Sequence, residues 1–382
     1  MRHALLPLLL PLLLSCPAQA TSFSITYTGV PVQAQTAIEY AAGIWSGILE
    51  SDVPIKVHVN WFPMGGLALG ITFPNGRKDF ATAPVPSTWY STALANSING
   101  SELNPGENDF DVYLNSGTSW YYGTDGNPGN SEYDLVSVAL HEFGHGLGFV
   151  GVSKKEGTIG SFGLLQASDF APLSTSFPWP ELDTLPGIFD RYLKNQLDEV
   201  LTNAQNPSDF LGTAFTSNQV YWNGPIALAA NGDNSIRIYA PSTYALGSSC
   251  VHLNENSYPP SSANELMTPF SGAGDSNHWP GPICIGMLRD IGWNVAPGVG
   301  IAEEYTVPSG LMVYPNPAHE MIFLSNNEHS ARTTIVVSDV SGRTVLAASD
   351  VASMDVSDLA PGTYIITRTS EGQRAFGTFV KE

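Results

Sequence analysis

The chain has 382 residues, 43% of them hydrophobic and 13% charged, which is enough apolar material for a large core and argues against disorder. Its 15 Lys and Arg stand against 35 Asp and Glu, a net charge of −20; this excludes the cationic footprint that a nucleic-acid binder needs. The length fits one large domain or two to three smaller ones, and 37 Gly with 28 Pro mark a loop-rich, soluble chain.

Residues 1–20 read as a secretory signal. Arg2 and His3 precede the apolar run Leu5 to Leu14, and Ala18-Gln19-Ala20 is a small-x-small cleavage pattern that starts the mature chain near Thr21. Leu13-Leu14-Ser15-Cys16 offers a lipoprotein cleavage box as the alternative. The run is too short to span a membrane, and no later stretch approaches the roughly 18 apolar residues of a transmembrane helix. Beyond Cys16, only Cys250 and Cys284 remain, a candidate disulfide in an exported chain, with two buried thiols as the alternative. No cysteine lies between Cys16 and Cys250, so a pro-segment thiol masking a metal is excluded.

Residues 22–28 alternate in polarity and predict a strand. Pro31 opens a helix whose Ile38, Ala41, Ala42, Trp45, Ile48 and Leu49 follow the 3.6 period. Ile55, Val57, Val59 and Trp61 alternate with Lys56, His58 and Asn60 as a second strand, and the β-α-β succession implies a crossover. Residues 110–115 predict another strand; it is either an internal strand or an edge that pairs with an extended substrate. Residues 116–130 are Gly-, Asn- and Asp-rich loop. A helix follows over 134–147, its start marked by Ser131 with Asp134 three residues on. Short helices around 188–202 and Pro- and Asn-rich loops fill 152–250.

The 134–147 helix carries His141-Glu142-Phe143-Gly144-His145. Side chains four apart share one helix face, so both imidazoles can bind one Zn²⁺. Glu142, beside them, can take a proton from activated water and pass it to a leaving amine. Gly146 and Gly148 let the chain leave the helix at once. Asp134 and the 124–130 loop carry ligand types for calcium but no known calcium-loop spacing, so capping and turns are the expectation there.

A catalytic zinc needs a third protein ligand. The segment His141-Glu142-x-x-His145-x-x-Gly148 matches the metzincin pattern, but the position of that pattern's third ligand is Gly151, which cannot ligate. Glu156, the nearest downstream acid, has no helical context. His58 reads as an ordinary strand residue, and His319 and His329 lie beyond a linker. His252 and His278 remain as rivals. Met267 follows His252 by fifteen residues. This arrangement resembles leishmanolysin-like metallopeptidases, in which a long insertion precedes the third His and a methionine turn follows it. The resemblance covers about residues 22–295. It implies an α+β zincin/metzincin-like fold, His252 as third ligand after a 107-residue separation from His145, and Met267 as the floor of the site. Glu255 and Glu265 are then either ligand-orienting or solvated.

Residues 297–310 read as a linker, and the pattern beyond it changes to short β runs at 322–324, 333–340, 344–346 and 363–369, a small all-β sandwich over 311–382. Tyr314-Pro315-Asn316-Pro317, Val340-Ser341-Gly342-Arg343, Leu359-Ala360-Pro361-Gly362 and the terminal Phe379-Val380-Lys381 occur in order. The series resembles the sorting domain read by the type IX secretion system, which implies contact with that machinery and release or surface attachment; Gly342 and Gly362 would serve turns. The expectation is an exported zinc endopeptidase over 21–296 acting on proteins or peptides. A non-catalytic, zinc-stabilised binding protein and a hydrolase of non-peptide amides are the alternatives.

Overall fold

The computed structural model describes residues 20–296 other than 67, 174–176, 178 and 180–182, together with 299, 311–325, 333–339, 343–370 and 373–382. Residues 1–19 of the expected signal, with Cys16, the expected 297–310 linker apart from residue 299, His329 and Gly342 lie outside the described residues. The chain divides into two units, Met1–Ile301 and Ala302–Glu382. No helix among the described residues is long and apolar enough to cross a membrane.

In the first unit β1 (Phe23–Thr28), α1 (Val32–Ile48) and β2 (Ile55–Phe62) form the expected crossover, with β1 and β2 parallel. Pro31 precedes α1 with φ −60°, and Ala34, Ala37, Ile38, Ala41, Ala42, Trp45 and Ile48 form the buried stripe. Leu49, expected in the helix, is already extended and opposes Val295. Ile55, Val57 and Val59 of β2 point into the core, while His58 on the other face bonds Thr26 and Thr28 of β1.

Two further strands, β3 (Gly70–Pro74) and β4 (Phe110–Asn115), complete a sheet of order β1-β2-β4-β3. β4 pairs with β2 on one side and β3 on the other, so of the two readings of 110–115 the internal strand holds and the substrate-pairing edge is corrected: its backbone groups are already spent. The edge is β3. Leu69 O accepts from Asn115 N (3.0 Å) and Asn75 N donates to Asp109 O (2.8 Å). An antiparallel ladder alternates bonded and non-bonded residues. The odd-numbered residues of this segment therefore bond inward, and Gly70, Thr72 and Pro74 turn their backbone groups to the outer edge. No other strand pairs with that edge among the described residues.

Beyond a short helix over Thr92–Asn99, the helix that carries the motif, α2 (Leu135–Gly146), packs beneath the sheet and against α1, where Trp45 Nε1 donates to Leu140 O (2.9 Å). Gly146 is required by close approach, since a Cβ there would lie 2.5 Å from the Phe110 ring; Gly148 (φ 118°) turns the chain out of the helix. The segment that follows, where the family resemblance expects the long insertion, adds a hairpin, Ser153–Glu156 with Ile159–Phe162, and a three-stranded sheet of Leu193–Asn195, Val220–Trp222 and Ile236–Ile238. Around 188–202, where short helices are expected, two three-residue 3-10 turns flank a strand. The insertion's Phe189, Trp222 and Ile236 share one core with the sheet and helices. A last helix, α3 (Gly281–Ile291), closes that core.

Cys250 and Cys284 are both free and buried, which corrects the expected disulfide. Cys284 sits within α3 and Cys250 in a turn beside Ser153, so each thiol fills core space where it stands. Burial pushes both thiols up, which keeps them protonated and inert.

The second unit contains β5 (Met312–Tyr314), β6 (Met321–Ser325), β7 (Thr333–Asp339), β8 (Thr344–Ser349), β9 (Ser353–Asp355), β10 (Gly362–Ser370) and β11 (Gln373–Lys381). They form two antiparallel sheets, β5-β6-β9 and β8-β7-β10-β11. Ile322, Leu324, Ile335, Val337, Met354, Ile366 and Phe379 make a single apolar core. Of these strands β5, β9 and β11 are additional to the expected ones. Gly362 opens β10.

Candidate metal centre

The site begins at the N-terminus of α2. Asp134 is itself the N-cap, its Oδ2 accepting from Ser137 N (2.7 Å) and Ser137 Oγ (2.6 Å), so the expected box with Ser131 is corrected. An aspartate there satisfies helix donors that otherwise lack partners. His278 Nε2 lies 2.8 Å from the same oxygen, and Asn277 N donates to Ser137 Oγ (2.6 Å). His278 is thus removed as rival ligand: its ring is engaged at the start of the helix, tying the 272–278 segment to it.

At the other end of α2 the histidines meet a partner from the far end of the insertion. His141 and His145 Nε2 are 3.0 Å apart, and His252 Nε2 lies 3.2 Å from His145 and 3.3 Å from His141. The three Nδ1 atoms face Leu266 O (2.6 Å), Phe149 O (2.6 Å) and Ser248 O (2.9 Å). A carbonyl only accepts, so each Nδ1 carries the ring's proton and each Nε2 is a bare lone pair. Three lone pairs converge with no proton to share among them. Burial drives all three rings toward the neutral form. It places His145 well below its ordinary range and, with the neighbouring His141, brings His252 down to about 3.

This donor set fits Zn²⁺. Nitrogens at about 2.0–2.1 Å from a tetrahedral ion stand about 3.3 Å from one another, close to the separations found. Carbonyl contacts on the distal nitrogens are the usual way that metal-binding imidazoles are oriented. Among the described residues this trio is the one group of three or more His, Cys, Asp and Glu whose ligand atoms converge. Asp134 caps a helix, and Asp125 bonds Tyr121, so the loop considered for calcium forms turns and caps.

Met267 is fully buried under the helix, where a Cβ on Gly144 would lie 2.7 Å from its Sδ. Its carbonyl accepts from Leu253 N (2.8 Å), next to His252, and the preceding carbonyl holds His141, so this turn braces two of the three histidines. Glu265 accepts from Ser261 N (2.5 Å), which stiffens the same turn; Glu255 lies beside Thr268.

Glu142 is 4% exposed. Its Oε2 accepts from Thr72 Oγ1 (2.7 Å), and its carboxyl packs so closely on Gly70 that a Cβ there would lie 2.4 Å from Oε1. Burial pushes the carboxyl up to about 8 against the pull of the Thr72 hydroxyl; a cation beside it would bring that value down. Thr72 and Gly70 have no signature in the sequence, because the contact joins residues 70 apart through tertiary packing.

These groups open into a cavity of about 680 Å³. One wall is the β3 edge from Gly70 to Phe73, a second is apolar (Leu165, Phe170, Leu173, Phe177), and a third is polar (Asp275, Ser276, Asn277).

No curated protein matches the chain. Residues 312–382 match the secretion system C-terminal sorting domain. The second unit is therefore the sorting domain expected from its motifs, and the chain carries the signal that directs a protein through type IX secretion to the exterior or the cell surface.

Proposed function

We propose that the first unit is a zinc-dependent endopeptidase of the leishmanolysin-like type, with a zincin-like fold, which hydrolyses peptide bonds of extracellular proteins. The observation that carries this reading is the meeting of three bare imidazole nitrogens next to the carboxyl of Glu142, in a cavity walled by a strand edge. A structural zinc site closes with four protein ligands. The cluster here has three among the described residues, with a base beside it.

Zinc held by His141, His145 and His252 would supply Lewis acidity, making water a better nucleophile and polarising a carbonyl. Glu142 accepts the water proton and returns it to the departing amine, which is why it stands within the cavity and not on the surface. The outward N–H and C=O groups of Gly70 and Thr72 suit an extended peptide laid along β3 as an added strand. The apolar wall shields the reacting groups from bulk water.

The test is cleavage of an unfolded protein by the full chain. Activity is expected to disappear on chelation and return with Zn²⁺. Glu142→Gln should lower kcat by about 10³-fold or more at unchanged zinc content. Cleavage persisting in that variant, or insensitive to chelation, would reject the reading.

A further inference from the structure

The geometry points to Thr72 as the positioning residue of the base: its hydroxyl fixes the Glu142 carboxylate while its own backbone seats the substrate. This rests on the peptidase reading and goes beyond it to a residue outside the metal-binding motif.

Three observations converge on this side chain. Thr72 Oγ1 donates to Glu142 Oε2 at 2.7 Å. Thr72 opposes Val112, a wholly buried residue, so its side chain is on the sheet face that looks onto α2. The ladder parity set by Leu69 and Asn75 turns the Thr72 N–H and C=O to the outer edge of β3. One residue thus holds the base with its side chain and offers two hydrogen bonds to an extended chain with its backbone. Gly70, two residues earlier, faces the same way and leaves room for the carboxyl, since any Cβ there would collide with Glu142.

The chemical consequence is a fixed division of labour between the carboxylate oxygens. Oε2 is engaged by the hydroxyl, which leaves Oε1 to take the proton from water. A peptide paired with Thr72 then has its carbonyl in a set register with that oxygen. Loss of the hydroxyl frees the carboxylate to rotate but leaves the backbone pairing intact, so the penalty falls on turnover and not on binding. A charge-assisted bond of this kind is worth about 10- to 100-fold.

The experiment compares Thr72→Val and Thr72→Ser in the full chain loaded with zinc. Thr72→Val is expected to lower kcat by about 10- to 100-fold with KM changed less than about threefold, and Thr72→Ser to recover most of the loss. A second readout needs no activity. In the metal-free protein, Thr72→Val should lower the unfolding midpoint when Glu142 is present and have little effect in a Glu142→Ala background. Unchanged kcat in Thr72→Val, a serine variant as impaired as the valine one, or equal destabilisation in both backgrounds would overturn the inference. If Glu142→Gln cleaves normally while the two stability shifts remain coupled, the peptidase reading fails and the Thr72–Glu142 contact stands.

Discussion

The protonation pattern of three imidazoles decides what the centre can hold. Each ring gives its only proton to a backbone carbonyl, leaving three lone pairs about as far apart as zinc ligands stand. His278 makes the contrast: its Nε2 is on Asp134. His252→Ala should therefore lose the ion, whereas His278→Ala should keep one zinc per chain and be destabilised by about 1–3 kcal/mol through the lost partner of a buried carboxylate. Zinc stoichiometry after dialysis, with urea unfolding of each variant, checks both, and loss of zinc in His278→Ala would return it to the ligand set. At this scale His141, Glu142 and His145 are legible in the sequence because their spacing is itself helix geometry. His252 stands out only through a family resemblance, and Thr72 carries no sequence signal, since nothing local marks a residue whose partner lies on another element.

Among the elements, the chain leaving α2 and a later part of the insertion are joined by Asp190. This wholly buried carboxylate accepts from Val152 N (3.0 Å), just beyond α2, and from Gly187 N (2.8 Å) in the insertion. Burial pushes it up to about 7, against the pull of those donors. The folded chain therefore binds a proton here that the unfolded chain, near 3.8, has released. Stability from this group is present below about pH 4 and is lost as pH rises toward 7 and above. Asp190→Asn removes that slope. Urea unfolding at pH 5 and pH 8 should show a smaller loss on going to pH 8 in the variant than in the parent; equal losses would refute the assignment. The strand alternation of β1, β2 and β4 and the periodicity of α1 were readable, being local patterns of burial. Which strand forms the edge was not, because pairing order depends on segments distant in the chain.

For the molecule as a whole, each unit has its own apolar core, and the sorting signal resides in the second. Deleting residues 312–382 should abolish export while the remaining chain, produced directly, still folds and binds one zinc. Fractionation for the first and metal analysis with thermal unfolding for the second measure these outcomes. A truncated chain that reaches the exterior would contradict the sorting assignment. Zinc should raise the unfolding midpoint of either form, since an ion that binds only the assembled trio stabilises the folded state by mass action.

The amino-acid order alone determined the export route, the two-unit division and the helix that presents two imidazoles and a carboxyl on neighbouring positions. These depend on composition, short motifs and the period of one element. The tertiary fold decided which of two distant histidines completes the trio, kept the cysteines apart, placed β4 inside the sheet and brought Thr72 to Glu142. Such choices are made by packing between segments tens to more than a hundred residues apart, and no periodicity along the chain records them.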